Sequence, residues 1–165
     1  MAEKMRVGVV GTGAISGAYL GMAQKFPIVE IAACADLNPA AARQKAAEFH
    51  IPRACSVDQW LADPSSDIVL NLTVPRAQVP IAMRAIQAGK HVFVEKPHAI
   101  DPAGIKVVRA ACELAKKKNL SVLSGLQSRF TPAYRETIQR IHDGAIGEVV
   151  AIEENFLRAP YVLYP

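Results

Sequence analysis

Long apolar runs are missing from this sequence of 165 residues. A membrane-spanning helix needs about 18 or more consecutive apolar residues, and no stretch of the chain supplies them, so we expect no membrane insertion. The amino terminus, MAEKMRVGVVG, also lacks the extended apolar segment and small-residue cleavage site of a secretion signal. We therefore expect a cytoplasmic protein.

Cysteines are few, and they are not arranged for metal binding or cross-linking. The three, Cys34, Cys55 and Cys112, form an odd set without CxxC spacing, which argues against a zinc site and a disulfide framework. Histidines and acidic residues form no cluster either, so we expect no metal.

Charge is not concentrated as a nucleic-acid surface requires. The net charge is +4, but the basic residues are scattered and the one cluster, Lys116–Lys118, closes a predicted helix, where cations complement the helix dipole. We expect no nucleic-acid partner. A dinucleotide or an anionic substrate would suit a mildly basic surface.

Buried strands alternate with helical segments over residues 1–125. The first run, MRVGVVG, is apolar on both faces, which is typical of a strand in a parallel sheet. Six strands are predicted near residues 5–10, 28–36, 53–56, 67–74, 91–95 and 120–125. Helices are predicted near residues 14–25, 38–50, 57–63, 76–88 and 101–118. This order predicts an α/β fold with a doubly wound parallel sheet, a Rossmann domain.

The pattern changes after Gly125. A helix is predicted from about Pro132 to Asp143, followed by a turn and by EVVAIEENF, residues 148–156, which fits a strand with one solvated face. We expect residues 126–165 to be the truncated, incomplete start of a second α+β domain. The open edge of such a strand would favour association with another chain, and we expect a homo-oligomer.

The turn after the first strand has the spacing of a dinucleotide-binding loop. In VVGTGAISG, Gly11 permits a tight turn, Gly13 lets the backbone approach a pyrophosphate, and Ser16 stands at the third, small position. Amides of this segment, residues 11–15 (Gly11, Thr12, Gly13, Ala14 and Ile15), would hold the phosphates at the helix N-terminus.

Asp36 ends the second strand, 20 positions after Ser16. A carboxylate there can accept hydrogen bonds from both hydroxyls of the adenosine ribose and would repel a 2′-phosphate, which favours NAD over NADP. Two alternatives remain on these features alone. The first alternative for Asp36 is a helix cap, a role that Asn38 can also fill. The second is a different ligand, S-adenosylmethionine, which is bound by similar turns.

A charged pair follows the fifth strand, in the sequence VFVEKPHAI. Ligands of doubly wound sheets bind outside the carboxyl ends of the strands, where Glu95 and Lys96 are predicted to lie. The Lys96 ammonium could bind a substrate hydroxyl and favour its deprotonation as hydride leaves, or polarise a carbonyl in the reverse reaction. Pro97 would set the backbone there. The alternative is a solvated pair that starts a loop.

These motifs together resemble the glucose-fructose oxidoreductase and inositol dehydrogenase family, often called Gfo/Idh/MocA. The resemblance rests on GTGAIS, ACAD, AGKHVFVEKP, GLQSRFTPAYR and GAIGEVV and spans essentially the whole chain. It implies NAD(P)-dependent oxidation of a sugar, polyol or related hydroxyl compound, with Lys96 as the catalytic lysine. It also implies that Thr73, Val74 and Pro75 pack along the cofactor, and that Glu95 and Lys96 belong to the cofactor-binding residues.

The sequence departs from this family in two respects. The loop after the fourth strand has Arg76 and Val79 where the family commonly has Pro-Asn and a later histidine. The family also runs to about twice this length, and its histidine proton acceptor lies in a C-terminal domain without a counterpart here. His98, two residues after Lys96, is the only histidine predicted near the site; His50, His91 and His142 suit surface or capping roles. A non-catalytic nucleotide-sensing or assembly module is therefore the alternative function.

Overall fold

Six parallel strands form one sheet in the computed structural model, which describes residues 4–155 and Leu157. The strands are β1 (Met5–Val10), β2 (Val29–Ala35), β3 (Ala54–Cys55), β4 (Ile68–Asn71), β5 (His91–Glu95) and β6 (Val122–Gly125). Their order across the sheet is β3-β2-β1-β4-β5-β6, and every neighbouring pair is parallel. The chain reverses direction across the sheet after β3, so the predicted doubly wound topology is confirmed.

Helices connect successive strands. They are α1 (Ser16–Ala23), α2 (Pro39–Glu48), α3 (Val57–Ala62), α4 (Pro75–Gln87) and α5 (Pro102–Lys117). Local sequence explains several starts: the side chains of Asn38, Ser56 and Asp101 each accept a hydrogen bond from a first-turn amide. Asn38 takes the capping role before Pro39, as the sequence predicts.

Apolar residues fill both faces of the sheet. One cluster contains Val10, Trp60 and Ile86, and the other contains Val9, Leu20 and Cys34. Trp60 is fully buried, and its indole lies so close to Gly8 that a Cβ added there would approach it to 2.2 Å. The packing of Trp60 against Gly8 holds α3 against β1. Replacing a buried tryptophan by alanine lowers the free energy of unfolding by about 3–5 kcal/mol.

The chain divides into two compact units between Leu126 and Gln127. The second unit contains a 3-10 helix (Gln127–Phe130) and α6 (Pro132–His142). The strand predicted at 148–156 was wrong for the described part: residues 148–155 are exposed and form no strand. A strand requires a neighbour to receive its N–H and C=O groups, and no strand of residues 4–155 is paired with this segment. Phe156 lies outside the described residues.

Within the described residues, no helix is long and apolar enough to span a membrane.

Candidate cofactor site

A cleft of about 810 Å³ opens at the carboxyl ends of β1, β2 and β4. Its lining includes Gly11, Gly13, Asp36, Thr73 and Val74, which come from three separate loops of the chain. The topology brings these loops together because parallel strands end at the same edge of the sheet. Five of the residues predicted to contact a cofactor therefore line one cleft.

Gly11 makes the turn out of β1 possible. Its φ of +93° lies in the left-handed region, and a Cβ there would stand 2.8 Å from the backbone of Leu72 and Thr73. Its N–H donates to the carbonyl oxygen of Ala35 at 2.9 Å, which ties the turn to β2. Any larger residue would strain the backbone and collide with the loop after β4.

Gly13 faces open space. A Cβ built there meets nothing within 4 Å. In the described part of the chain, the N–H groups of Gly13, Ala14 and Ile15 find no hydrogen-bond acceptor, and α1 has no side-chain cap. Unpaired amides at a helix N-terminus are what a pyrophosphate requires. The fully buried Ser16 closes the turn from below, since its hydroxyl donates to the carbonyl oxygen of Gly13 at 2.7 Å.

Asp36 is fixed by the glycine turn. Its Oδ2 accepts hydrogen bonds from the Thr12 N–H at 2.7 Å and the Thr12 hydroxyl at 2.9 Å, and its Oδ1 accepts from the Asn38 N–H at 2.9 Å. Partial burial would raise the pKa of Asp36, but the hydrogen bonds from Thr12 and Asn38 outweigh it and lower the pKa below its ordinary value. Asp36 is therefore charged at neutral pH, and the cap of α2 is Asn38 rather than Asp36.

A pair of buried amide side chains shapes the loop after β4. Asn71 donates from Nδ2 to the Gln78 carbonyl oxygen at 2.8 Å and accepts from the Thr73 hydroxyl at 2.7 Å. Gln78 donates from Nε2 to the Thr73 carbonyl oxygen at 3.1 Å. Sequence reasoning missed both residues, although an asparagine inside the apolar run DIVLNLTV was the available signal.

Glu95 and Lys96 stand at the end of β5, outside the lining of the large cleft. Glu95 accepts from the Tyr19 hydroxyl through Oε1 and from the Lys96 N–H through Oε2 at 3.0 Å. Lys96 is exposed, and its ammonium makes no ion pair with any described residue. Glu95 is thus not the freely solvated partner of a Glu-Lys pair, because two hydrogen bonds hold its carboxylate.

The family to which this architecture belongs follows from a direct match. A model of the Gfo/Idh/MocA family, described as an oxidoreductase family with an NAD-binding Rossmann fold, matches residues 5–125. The chain belongs to this family. The family resemblance, the fold class and NAD as the cofactor of the fold are thereby confirmed.

Individual members of the Gfo/Idh/MocA family match most of the chain. An inositol 2-dehydrogenase/D-chiro-inositol 3-dehydrogenase from Halalkalibacterium halodurans is 32% identical over 152 residues, which cover 90% of this chain and 43% of that protein. A putative myo-inositol dehydrogenase from Sinorhizobium meliloti superposes with a TM-score of 0.78 at 28% identity, over 88% of this chain and 43% of that one.

Likeness of fold extends to a relative solved with ligands. The scyllo-inositol dehydrogenase of Lactobacillus casei, with bound NAD(H) and scyllo-inositol, superposes with a TM-score of 0.79 at 24% identity, over 88% of this chain and 43% of that one. The chain therefore spans less than half the length of the relatives that it matches.

The three histidines of the first compact unit, His50, His91 and His98, do not line the cleft. His98 lies 2.6 Å from the Ser124 hydroxyl through Nε2 and lines a second, largely apolar cavity of about 190 Å³ between α4 and α5. His91 accepts from the Ser121 N–H through Nδ1 at 3.0 Å, and His50 follows α2 with a positive φ of 55°. Val79 lines the same second cavity as His98, so this departure from the family pattern lies away from the large cleft.

Proposed function

We propose that this chain is the cofactor-binding part of a dehydrogenase that transfers a hydride between NAD and a CH–OH group of a sugar, a polyol or a related compound. The observation that carries the proposal is the joint between Thr12 and Asp36, which holds a ribose-binding carboxylate against a turn with open amides. Both parts face one cleft that has room for a dinucleotide.

The cleft offers complementary groups to each part of NAD. The pyrophosphate would accept hydrogen bonds from the amides of Gly13, Ala14 and Ile15, and Gly13 leaves open space for its approach. The charged Asp36 would accept hydrogen bonds from the adenosine ribose and repel a 2′-phosphate. Thr73, Val74 and Pro75 would lie along the cofactor on the side of β4, held by Asn71 and Gln78.

Lys96 is the residue to which we assign the chemistry. Bound NAD would supply the hydride acceptor. The task left to the protein is to favour the loss of the proton from the substrate hydroxyl. An ammonium at the end of β5 would donate a hydrogen bond to that oxygen and stabilise the charge that develops on it as its proton passes to solvent water and the hydride leaves the carbon. In the reverse direction the same ammonium would polarise the carbonyl. Glu95 would hold the lysine backbone in place.

We extend the proposal to organisation and compartment. Residues 1–125 would form the NAD(P)-binding domain, and residues 126–165 would begin a substrate and oligomerisation domain. The protein would act in the cytoplasm as a homo-oligomer. Light scattering of the purified chain measures its mass in solution. A monomeric mass at high concentration would contradict the proposed homo-oligomer.

Binding of nucleotide is the decisive experiment. Calorimetry and thermal unfolding with NAD and NADP should show a preference for NAD, which Asp36→Ala should abolish through weaker NAD binding. Asp143→Ala, in α6's C-terminal cap, serves as the matched control. If the wild-type chain binds neither nucleotide, the cofactor proposal is wrong.

Turnover separates the dehydrogenase from the nucleotide-sensing or assembly module. This chain and the longest reading frame that contains it should both be assayed with polyols and sugars while NADH absorbance is followed. Reduction of NAD in the longer protein supports the dehydrogenase. Tight NAD binding without turnover on any polyol or sugar in either protein would favour the non-catalytic module.

A further inference from the structure

Tyr19 connects the phosphate-binding helix to the end of β5. It lies on α1, three positions after Ser16, and its hydroxyl donates a hydrogen bond to Oε1 of Glu95, 76 positions away. The ring is half-buried and meets Phe93 of β5 edge to face, with centroids 5.7 Å apart and planes at 69°. This packing fixes the direction of the hydroxyl.

Glu95 is enclosed by three neighbours. Oε1 accepts from Tyr19, Oε2 accepts from the backbone N–H of Lys96 at 3.0 Å, and Gly125 of β6 presents no side chain toward the carboxylate. A Cβ at Gly125 would stand 2.7 Å from Oε1 and 2.8 Å from Cδ of Glu95. The Glu95 carboxylate therefore fills the space that the missing side chain of Gly125 leaves, and two hydrogen bonds hold it there.

We propose that Tyr19 is a positioning residue for Lys96, acting through Glu95, so that the helix that binds the pyrophosphate and the segment that carries the lysine keep one arrangement. The chain of contacts runs from the Tyr19 hydroxyl to the Glu95 carboxylate and from that carboxylate to the Lys96 N–H. The importance of that arrangement for catalysis rests on the proposed function.

Chemistry suits Tyr19 to the donor role. Burial raises the pKa of its hydroxyl, and the hydrogen bond to Glu95 and the charge of Glu95 raise it further, so the hydroxyl keeps its proton throughout the physiological range. A charged acceptor strengthens such a hydrogen bond relative to a neutral one. A phenylalanine at position 19 would keep the packing against Phe93 but would lose the hydrogen bond to Glu95 on which the positioning role depends.

The first experiment uses the ligand-free chain and NMR of the Lys96 amide. In Tyr19→Phe we expect the Lys96 amide proton to move upfield and its hydrogen exchange to quicken roughly tenfold, the factor that corresponds to one lost hydrogen bond. The amides of Val9 and Val69, two fully buried residues of β1 and β4, should not change. Tyr134→Phe, at an exposed tyrosine of α6, is the matched control. An unchanged Lys96 amide in Tyr19→Phe would overturn the proposal.

The second experiment compares NADH with ADP-ribose, which lacks the nicotinamide. Tyr19→Phe should weaken NADH binding several-fold and leave ADP-ribose binding unchanged, and combining it with Glu95→Gln should add little. Equal losses for both ligands would indicate a general role in supporting α1 and would contradict positioning. If wild-type protein binds neither ligand, the proposed function fails, while the amide measurement still decides the role of Tyr19.

Discussion

The backbone N–H of Thr12 lies 2.7 Å from Oδ2 of Asp36, and the Thr12 hydroxyl lies 2.9 Å from the same oxygen. One residue of the glycine turn thus holds the carboxylate that directly follows β2. The two parts of the proposed dinucleotide site, 24 positions apart, are thereby joined without a ligand. Such preorganisation lowers the cost of ordering the site upon binding.

Removing the Thr12 hydroxyl tests this joint. In Thr12→Val, Asp36 keeps the backbone hydrogen bond but loses the side-chain one, so its pKa should rise toward the ordinary value. We expect NAD affinity to fall by roughly tenfold, because a charged hydrogen bond is worth about 1.5–3 kcal/mol and only part of it serves binding. Carbon-13 NMR titration and calorimetry provide the two readouts.

A second threonine provides the control for that change. Thr137→Val removes a hydroxyl that donates to a backbone carbonyl of α6 at 2.9 Å, on an exposed surface. It should leave NAD affinity unchanged. Equal affinities of Thr12→Val and wild type would show that the side-chain hydrogen bond to Asp36 does not contribute to the site.

Alanine at the two glycines of the turn should separate stability from binding. Gly11→Ala forces a side chain into φ +93° and against the Leu72 backbone, so we expect a loss of about 1–3 kcal/mol or more in the free energy of unfolding. Gly13→Ala meets open space and should keep stability within about 0.5 kcal/mol.

NAD affinity, in contrast to stability, should be sensitive to a side chain at Gly13. Its Cβ would enter the cleft where the pyrophosphate approaches, so Gly13→Ala should weaken NAD binding strongly in a fully folded protein. Urea denaturation and calorimetry on both variants make the comparison. A Gly13→Ala protein that binds NAD as wild type does would place the phosphates elsewhere.

Local signals predicted the Rossmann sheet and most helix starts. Buried valine-rich runs, caps such as Asn38 and punctuating residues such as Gly89 each act within a few positions, and the periodicity of a strand or helix is visible in the sequence itself. The strand predicted at 148–156 was wrong over the described residues 148–155, for the complementary reason. Its pattern was suitable, but a strand depends on a neighbour that no local pattern supplies.

Contacts between side chains from different elements could not be predicted from the spacing of residues in the sequence. The Glu95 carboxylate meets Tyr19 across 76 positions, and Asn71 and Gln78 support the loop at Thr73 through buried hydrogen bonds. Motif positions therefore indicated where a cofactor would lie, whereas the residues that hold those positions required the fold.

Acid should destabilise the protein through Asp63. Hydrogen bonds from the Ser65 hydroxyl and N–H, and then from Arg53, lower the pKa of Asp63 from 3.8 to about 2. A carboxyl whose folded-state pKa is lowered stabilises the fold above its unfolded pKa, and that stability is lost as pH falls through the folded value. Urea unfolding between pH 5 and pH 2 should show this loss for the wild type, with a shallower slope for Asp63→Asn than for the control Asp143→Asn. Identical slopes would contradict the assignment.

Lys96 should affect turnover far more than cofactor binding. It is exposed beyond the large cleft, and its ammonium has no ion-pair partner among the described residues. Lys96→Met should therefore leave the free energy of unfolding unchanged within about 0.5 kcal/mol and weaken NAD binding no more than the several-fold expected for Tyr19→Phe. In the longest protein that contains this chain, kcat should fall by about 10²–10⁴, the range for a lost acid–base group. Lys106→Met, on α5, is the matched control. Full activity of Lys96→Met would remove Lys96 from the chemistry and leave the cofactor cleft intact, whereas loss of NAD binding would show that the lysine belongs to the cofactor site.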